Sequence, residues 1–147
     1  MSAQTLFLAD DDATAELGRR LAALLRPGDL VLLEGDLGAG KTALARSVIR
    51  TLCGDAALDV PSPSFALVQP YEANGHPVLH ADLYRIGSPR EVDELGLFDR
   101  ADAIVLVEWP ERSDEVVQQA TVRVSLTVPP GGDGRVVTVE FVDGRTL

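Results

Sequence analysis

The chain holds one cysteine, one lysine, no apolar run long enough to cross a bilayer and no surplus of positive charge. Each shortage removes a class of function. The lone Cys53 excludes an internal disulfide and a cysteine-based metal cluster, which suits a reducing cytoplasm. It reads best as a small apolar residue near the end of a helix. No segment nears the roughly 20 apolar residues of a membrane span. The first residues also lack the basic-then-apolar order of a signal segment. A soluble cytoplasmic protein with no membrane partner is therefore expected. The net charge of −10 argues against a broad contact with a phosphate backbone, which Lys and Arg would build. Any RNA in this protein's biology is expected to be met through a partner. No zinc-ligand spacing, internal repeat or linker interrupts the 147 residues, so residues 1–147 read as one domain.

The single lysine stands at an informative place. Lys41 belongs to Gly35-Asp36-Leu37-Gly38-Ala39-Gly40-Lys41-Thr42, a G-x-x-x-x-G-K-[ST] pattern. An apolar run, Leu30 to Glu34, precedes it, and a helix-like segment, Ala43 to Arg50, follows. Strand, glycine-rich turn and helix in that order form a phosphate-binding P-loop. The glycines let consecutive N–H groups turn inward around an anion, and the helix adds the positive end of its dipole. Lys41 would then reach the β- and γ-phosphates, and the Thr42 hydroxyl would bind Mg²⁺. With no second lysine, a guanine-reading [NT]-K-x-D motif cannot exist, which favours adenine.

The remaining pattern alternates strands and helices. Thr5–Ala9 reads as a strand, and Thr14 as the N-cap of a helix with Leu17, Leu21, Leu24 and Leu25 on one face. The P-loop helix should run to about Leu52, with Gly54 as terminator. Val60 to Phe65, with prolines at 61 and 63, reads as a stiff loop. Strand-like runs at 65–69 and 78–84 flank Asn74-Gly75, a hairpin signal. Pro89 opens a short helix that Gly96 closes. Residues 103–109 are apolar on both faces, the mark of a central parallel strand, and residues 121–128 and 135–141 alternate like an antiparallel pair. The expected fold is α/β: a P-loop NTPase-like sandwich with a mixed parallel and antiparallel sheet flanked by helices.

A P-loop needs an acid to hold or position Mg²⁺, usually at the C-terminal end of an apolar strand. Glu108 fits that description best, and Asp82 is the rival. Alternation puts Val78, His80, Asp82 and Tyr84 on one strand face, either part of a site or a solvated face. His80 could be catalytic or simply a hydrogen-bonded structural histidine. The Ser62-Pro63-Ser64 loop stands where a nucleotide-sensing switch would stand, or is an ordinary turn. Trp109 and Pro110 read as packing residues. No arginine-dense lid of the sort small-molecule kinases use is evident. A kinase with Asp82 as base and a nucleotide-gated binding module remain the other classes of reading.

Taken together, Gly-Asp-Leu-Gly-Ala-Gly-Lys-Thr at 35–42, Ser-Pro-Ser-Phe at 62–65, His-Ala-Asp-Leu-Tyr-Arg at 80–85 and Leu-Val-Glu-Trp-Pro at 106–110 resemble the bacterial TsaE (YjeE) family. That family is the ATPase of tRNA threonylcarbamoyladenosine biosynthesis. The resemblance runs from Thr14 to Pro110. It implies that Gly38, Ala39, Gly40, Lys41 and Thr42 bind the ATP phosphates and that Thr42 with Glu108 coordinates Mg²⁺. It further implies that Asp82 belongs to a switch-like strand important for hydrolysis, and that Ser62 to Ser64 form the other switch. Lys41, Asp82 and Glu108 are thus the expected catalytic set. The family usually has threonine where this chain has Ser64; the hydroxyl survives, with a less restricted rotamer. The adenine environment is weakly marked, with Asp11 to Thr14 and the Gly131–Gly134 loop, Gly132 included, as its candidates. The implied partners are TsaD and TsaB, with tRNA reached only through that complex.

Overall fold

Leu30–Glu34 (β2) and Ile104–Glu108 (β5) are buried on both faces and lie side by side in parallel register, Leu33 opposite Glu108. They form the middle of one seven-stranded sheet in the computed structural model, which describes residues 2–147. The other strands are Ser2–Leu8 (β1), Val68–Ala73 (β3), His76–Asp82 (β4), Val122–Thr127 (β6) and Arg135–Phe141 (β7), in the order β1-β7-β6-β2-β5-β4-β3. The four strands β6, β2, β5 and β4 run parallel. The edges are antiparallel, β7 and β1 on one side and β3 on the other. This is the mixed sheet expected from the sequence.

Asp11–Leu24 (α1) and Lys41–Cys53 (α2) pack on one face, where Leu17, Leu21, Leu44, Val48 and Ile49 meet Val31, Leu106, Val124, Val139 and Phe141. The other face is covered only at its centre. There Leu32, Leu83, Val105 and Val107 pack with Val92 of Pro89–Asp93 (α3) and Val116 of Asp114–Gln119 (α4). This difference explains the two kinds of strand pattern: β2 and β5 are covered twice and read apolar throughout. β6 is covered once, so Arg123, Ser125 and Thr127 alternate with buried valines and leucine.

Several boundaries differ from the sequence expectation for local reasons. Asp10, not Thr14, caps α1, its carboxylate accepting the Ala13 N–H at 2.9 Å. Thr14 lies one turn in and is buried. The strand expected at 65–69 begins only at Val68, because Leu67 adopts a left-handed φ of 69°. Pro70 is tolerated inside β3 because β3 is an edge strand. The helix α4 and the 3₁₀ turn Pro110–Arg112 were not anticipated. Among the described residues no helix is long and apolar enough to cross a membrane.

A buried ion pair ties the C-terminal segment to the start of β2. Arg145 Nη1 and Nη2 donate to Asp29 at 2.8 and 2.9 Å, and Nη1 also donates to the Leu24 carbonyl at 2.8 Å. Burial alone would raise the Asp29 carboxyl. Hydrogen bonds from Arg145, the Arg26 N–H and Thr121 outweigh it and hold Asp29 below the ordinary carboxylate value. A depressed folded value adds stability above the unfolded value of about 3.9, and that stability is lost as pH falls through the folded value. Arg145→Ala should therefore lower unfolding free energy at neutral pH by about 3 kcal/mol, since it strands a buried carboxylate. Urea titrations between neutral and acid pH should also find this difference shrinking below the unfolded Asp value.

Candidate functional site

The carboxyl ends of β2, β5 and β4 bring the site together. In sheets of this kind that edge is where ligands bind. After Glu34 the chain turns through residues 35–40 and enters α2 at Lys41. Gly40 is the N-cap, with φ 102°, a conformation costly for any side-chain-bearing residue. Among the described residues no side chain caps α2, and its first turn carries no acid, whereas α1 has both the Asp10 cap and Asp11 and Asp12. The first N–H groups of α2 are thereby left to an external acceptor.

The register of the parallel strands sets two acids side by side, Asp82 opposite Glu108. Both are buried, at 5% and 3% exposure, beside a Lys41 that is 5% exposed. The face carrying His80 and Asp82 is therefore interior, not solvated. The Thr42 hydroxyl donates to Glu108 Oε1 at 2.8 Å and lies 3.0 Å from Oε2. His80, fully buried, places Nε2 2.6 Å from the same Oε2, which assigns the ring proton to Nε2, while Nδ1 has no partner among the described residues. Glu108 is thus held from two sides and aimed at Thr42. Asp82 is held differently. Its Oδ1 accepts the Tyr84 N–H at 2.8 Å, and its Oδ2 is 3.3 Å from Ser64 Oγ, which itself lies 2.8 Å from Ser62 Oγ. One acid faces the Thr42 hydroxyl and the other faces the serine loop.

Lys41 lies folded back. Its Nζ donates to the Gly35 carbonyl, approaches the Asp36 carbonyl at 3.4 Å and sits 3.5 Å from the centroid of the Trp109 ring. Burial pushes its ammonium down from the ordinary lysine value, against the pull of Glu108, Glu111, Asp82 and Asp36. Trp109 takes a left-handed φ of 57°, rare for an aromatic residue, and this turn after β5 brings its ring under the lysine. From the sequence Trp109 is expected only to pack, and its contact with Lys41 is not visible there. Its only signal was its place directly after a strand that ends in an acid.

A cleft of about 540 Å³ gathers Gly38 to Thr42, Ser62, Ser64, Asp82, Tyr84, Arg85, Glu108 and Trp109. A smaller cleft of about 220 Å³ opens on the other flank of the loop, between Asp10, Asp11, Thr14, Gly40, Gly134 and Arg135. Asp11 is exposed at the start of α1 and lines that second cleft. Gly132 lines neither; it is exposed in the β6–β7 turn, and Gly134 and Arg135 occupy the nearby wall.

The family model described as "Threonylcarbamoyl adenosine biosynthesis protein TsaE" matches residues 8–135, which includes every residue just described in the larger cleft. The chain belongs to the TsaE family. A relative in Rickettsia felis named "tRNA threonylcarbamoyladenosine biosynthesis protein TsaE" is 39% identical over 124 residues, covering 84% of this chain and 72% of its own. Proteins of the same name in Streptomyces coelicolor and Haemophilus influenzae are 42% and 32% identical, covering 76% and 86% of this chain and 76% and 83% of theirs. The crystal structure of YdiB from Bacillus subtilis superposes with a TM-score of 0.73 at 26% identity, over 96% of this chain and 86% of that one. The TsaE match and the fold agree with the family resemblance carried by the sequence motifs.

In this TsaE-family chain no set of three or more His, Cys, Asp or Glu side chains is gathered as a metal cage among the described residues. Mg²⁺ needs no such cage, since it is commonly held by one or two carboxylates with substrate phosphates and water. A buried carboxylate already bonded to the Thr42 hydroxyl fits that donor set.

Proposed function

We propose that this chain is a Mg²⁺-dependent ATPase that serves tRNA threonylcarbamoyladenosine biosynthesis, the pathway its family ties it to, by driving turnover of a partner complex rather than by transferring the group itself. The observation that carries the reading is the Thr42–Glu108 hydrogen bond at 2.8 Å, which joins the P-loop to the acid at the end of the central strand. Gly38 and Gly40 with the first turn of α2 present N–H groups to the phosphates, and Ala39 between them keeps the loop turned by donating its N–H to the Asp36 carbonyl at 3.0 Å. Lys41 leaves the Gly35 carbonyl and the Trp109 face for the β- and γ-phosphate oxygens. When bound, Mg²⁺ would be held by Thr42 and Glu108 and would supply neutralisation of the charge developing on the phosphates. His80 keeps Glu108 oriented. Asp82, linked to Ser64 at 3.3 Å, would orient the attacking water, and the serine loop would register the loss of the terminal phosphate. Asp11, Thr14 and the Gly134 side of the second cleft are the proposed surroundings of adenine.

The partners proposed are TsaD and TsaB, with tRNA contacted through them; a chain carrying −10 net charge suits a place away from the RNA backbone. The test is a reconstitution of tRNA modification with TsaB, TsaD, a preformed activated threonylcarbamoyl donor and this chain. Multiple-turnover product should require the native chain and ATP. Equal turnover with the chain omitted would overturn the proposal.

A further inference from the structure

A P-loop works by turning its N–H groups inward, and peptide geometry then sends its carbonyls outward, where they need partners of their own. Here a single side chain meets two of them. Arg135, the first residue of β7, pairs with Leu8 across the sheet edge and extends to the outer side of the loop. Its Nη2 donates to the Gly38 carbonyl at 3.0 Å and its Nε to the Ala39 carbonyl at 3.2 Å, while Nη1 donates to the Gly134 carbonyl at 2.6 Å. The planar guanidinium thus bridges β7 and the loop with donors in fixed positions, which an ammonium cannot imitate. The approach is built into the backbone. Gly134 has φ 71°, and a Cβ there would lie 2.5 Å from the Phe7 ring and 2.7 Å from the Leu8 carbonyl oxygen. Only glycine lets the chain come this close to β1 before Arg135 turns toward the loop.

We infer that Arg135 is a positioning residue of the phosphate site: it holds the Gly38 and Ala39 carbonyls outward, so that the Ala39 N–H stays on the Asp36 carbonyl at 3.0 Å and the Gly40 N–H is preset toward the anion. The inference rests on the phosphate-binding reading of the loop. A cation behind the Ala39 carbonyl also polarises that peptide unit, making the Gly40 N–H a better donor.

Calorimetric titration of the native chain, Arg135→Ala and Arg135→Lys with two ligands tests this: Mg·ATP and inorganic tripolyphosphate, which lacks base and sugar. Both ligands should weaken by the same factor, about tenfold or more for loss of a charged two-bond fork. Arg135→Lys should do little better than Arg135→Ala, and because it keeps the charge and stem it carries the test should the alanine variant fail to fold. Unchanged affinities would overturn the inference. So would weakened ATP with unchanged tripolyphosphate, which would make Arg135 a base or sugar contact, and so would full rescue by lysine, which would make its charge alone responsible. A native chain that binds neither ligand would instead remove the phosphate-site reading on which the inference depends.

Discussion

Lys41→Ala should bind Mg·ATP about a hundredfold more weakly than the native chain, or worse, the loss of two charge-assisted hydrogen bonds of about 1.5 kcal/mol each. Two features make a smaller effect hard to accommodate. Lys41 is the only lysine, so no neighbouring ammonium can take its place. Its buried Nζ is already at the loop, bonded to the Gly35 carbonyl, so reaching a phosphate needs only a change of rotamer. The fold should tolerate the change. Alanine is the strongest helix former, the position opens α2, and the carbonyls of Gly35 and Asp36 stay near solvent. Thermal unfolding within a few degrees of native, together with lost binding, is the expected pair of results. In the native chain Trp109, the only tryptophan, should report the same event, because its ring loses the cation now 3.5 Å from its centroid. Affinity within about threefold of native, a difference under 1 kcal/mol, would mean that Lys41 does not contact phosphate.

Glu108→Gln should have a different signature. The carboxylate accepts from two donors, the Thr42 hydroxyl and His80 Nε2. Glutamine offers one oxygen, and its amide N–H₂ must face the other donor. The variant should therefore lose about 1–3 kcal/mol of stability as well as the negative charge proposed for Mg²⁺. Nucleotide affinity without metal should change little or improve, because a buried anion near the phosphates has gone. The Mg²⁺ concentration for half-maximal ATP hydrolysis should rise by about tenfold or more, as expected when one charged ligand worth over 1.4 kcal/mol is lost. An unchanged Mg²⁺ titration would move the metal assignment away from Glu108, and Asp82 would be the next residue to test.

Much of this arrangement was legible because the informative residues lie at element ends. A strand that stays apolar from Ile104 to Val107 must be covered on both faces, and so lies centrally; its terminal Glu108 then falls at the sheet edge that β2 also reaches. The strand alternation that set His80 and Asp82 on one face survives in the structure, but burial could not be read from it. Their face is polar in sequence and interior in the fold because His80 and Asp82 lie against Glu108, with its Thr42 partner, and against Ser64. Strand order was hidden for another reason: β1 and β7 pair residues such as Thr5 and Thr138, and nothing local encodes so distant a partner. Arg135 escaped notice for the same reason. In Arg-Val-Val-Thr-Val-Glu-Phe it looks like the polar start of an alternating strand, and only the closed sheet brings it to Gly38 and Ala39. α4 escaped because six residues with one fully buried valine make too short a period to detect.

The most direct test of the account is phosphate release from Mg·ATP by the purified chain, alone and with the TsaB–TsaD pair, for the native protein and Lys41→Ala. The account predicts slow release by the native chain, faster release with the pair and none above background for the variant. Native and variant chains with the same rate, or no release by the native chain under either condition, would contradict it.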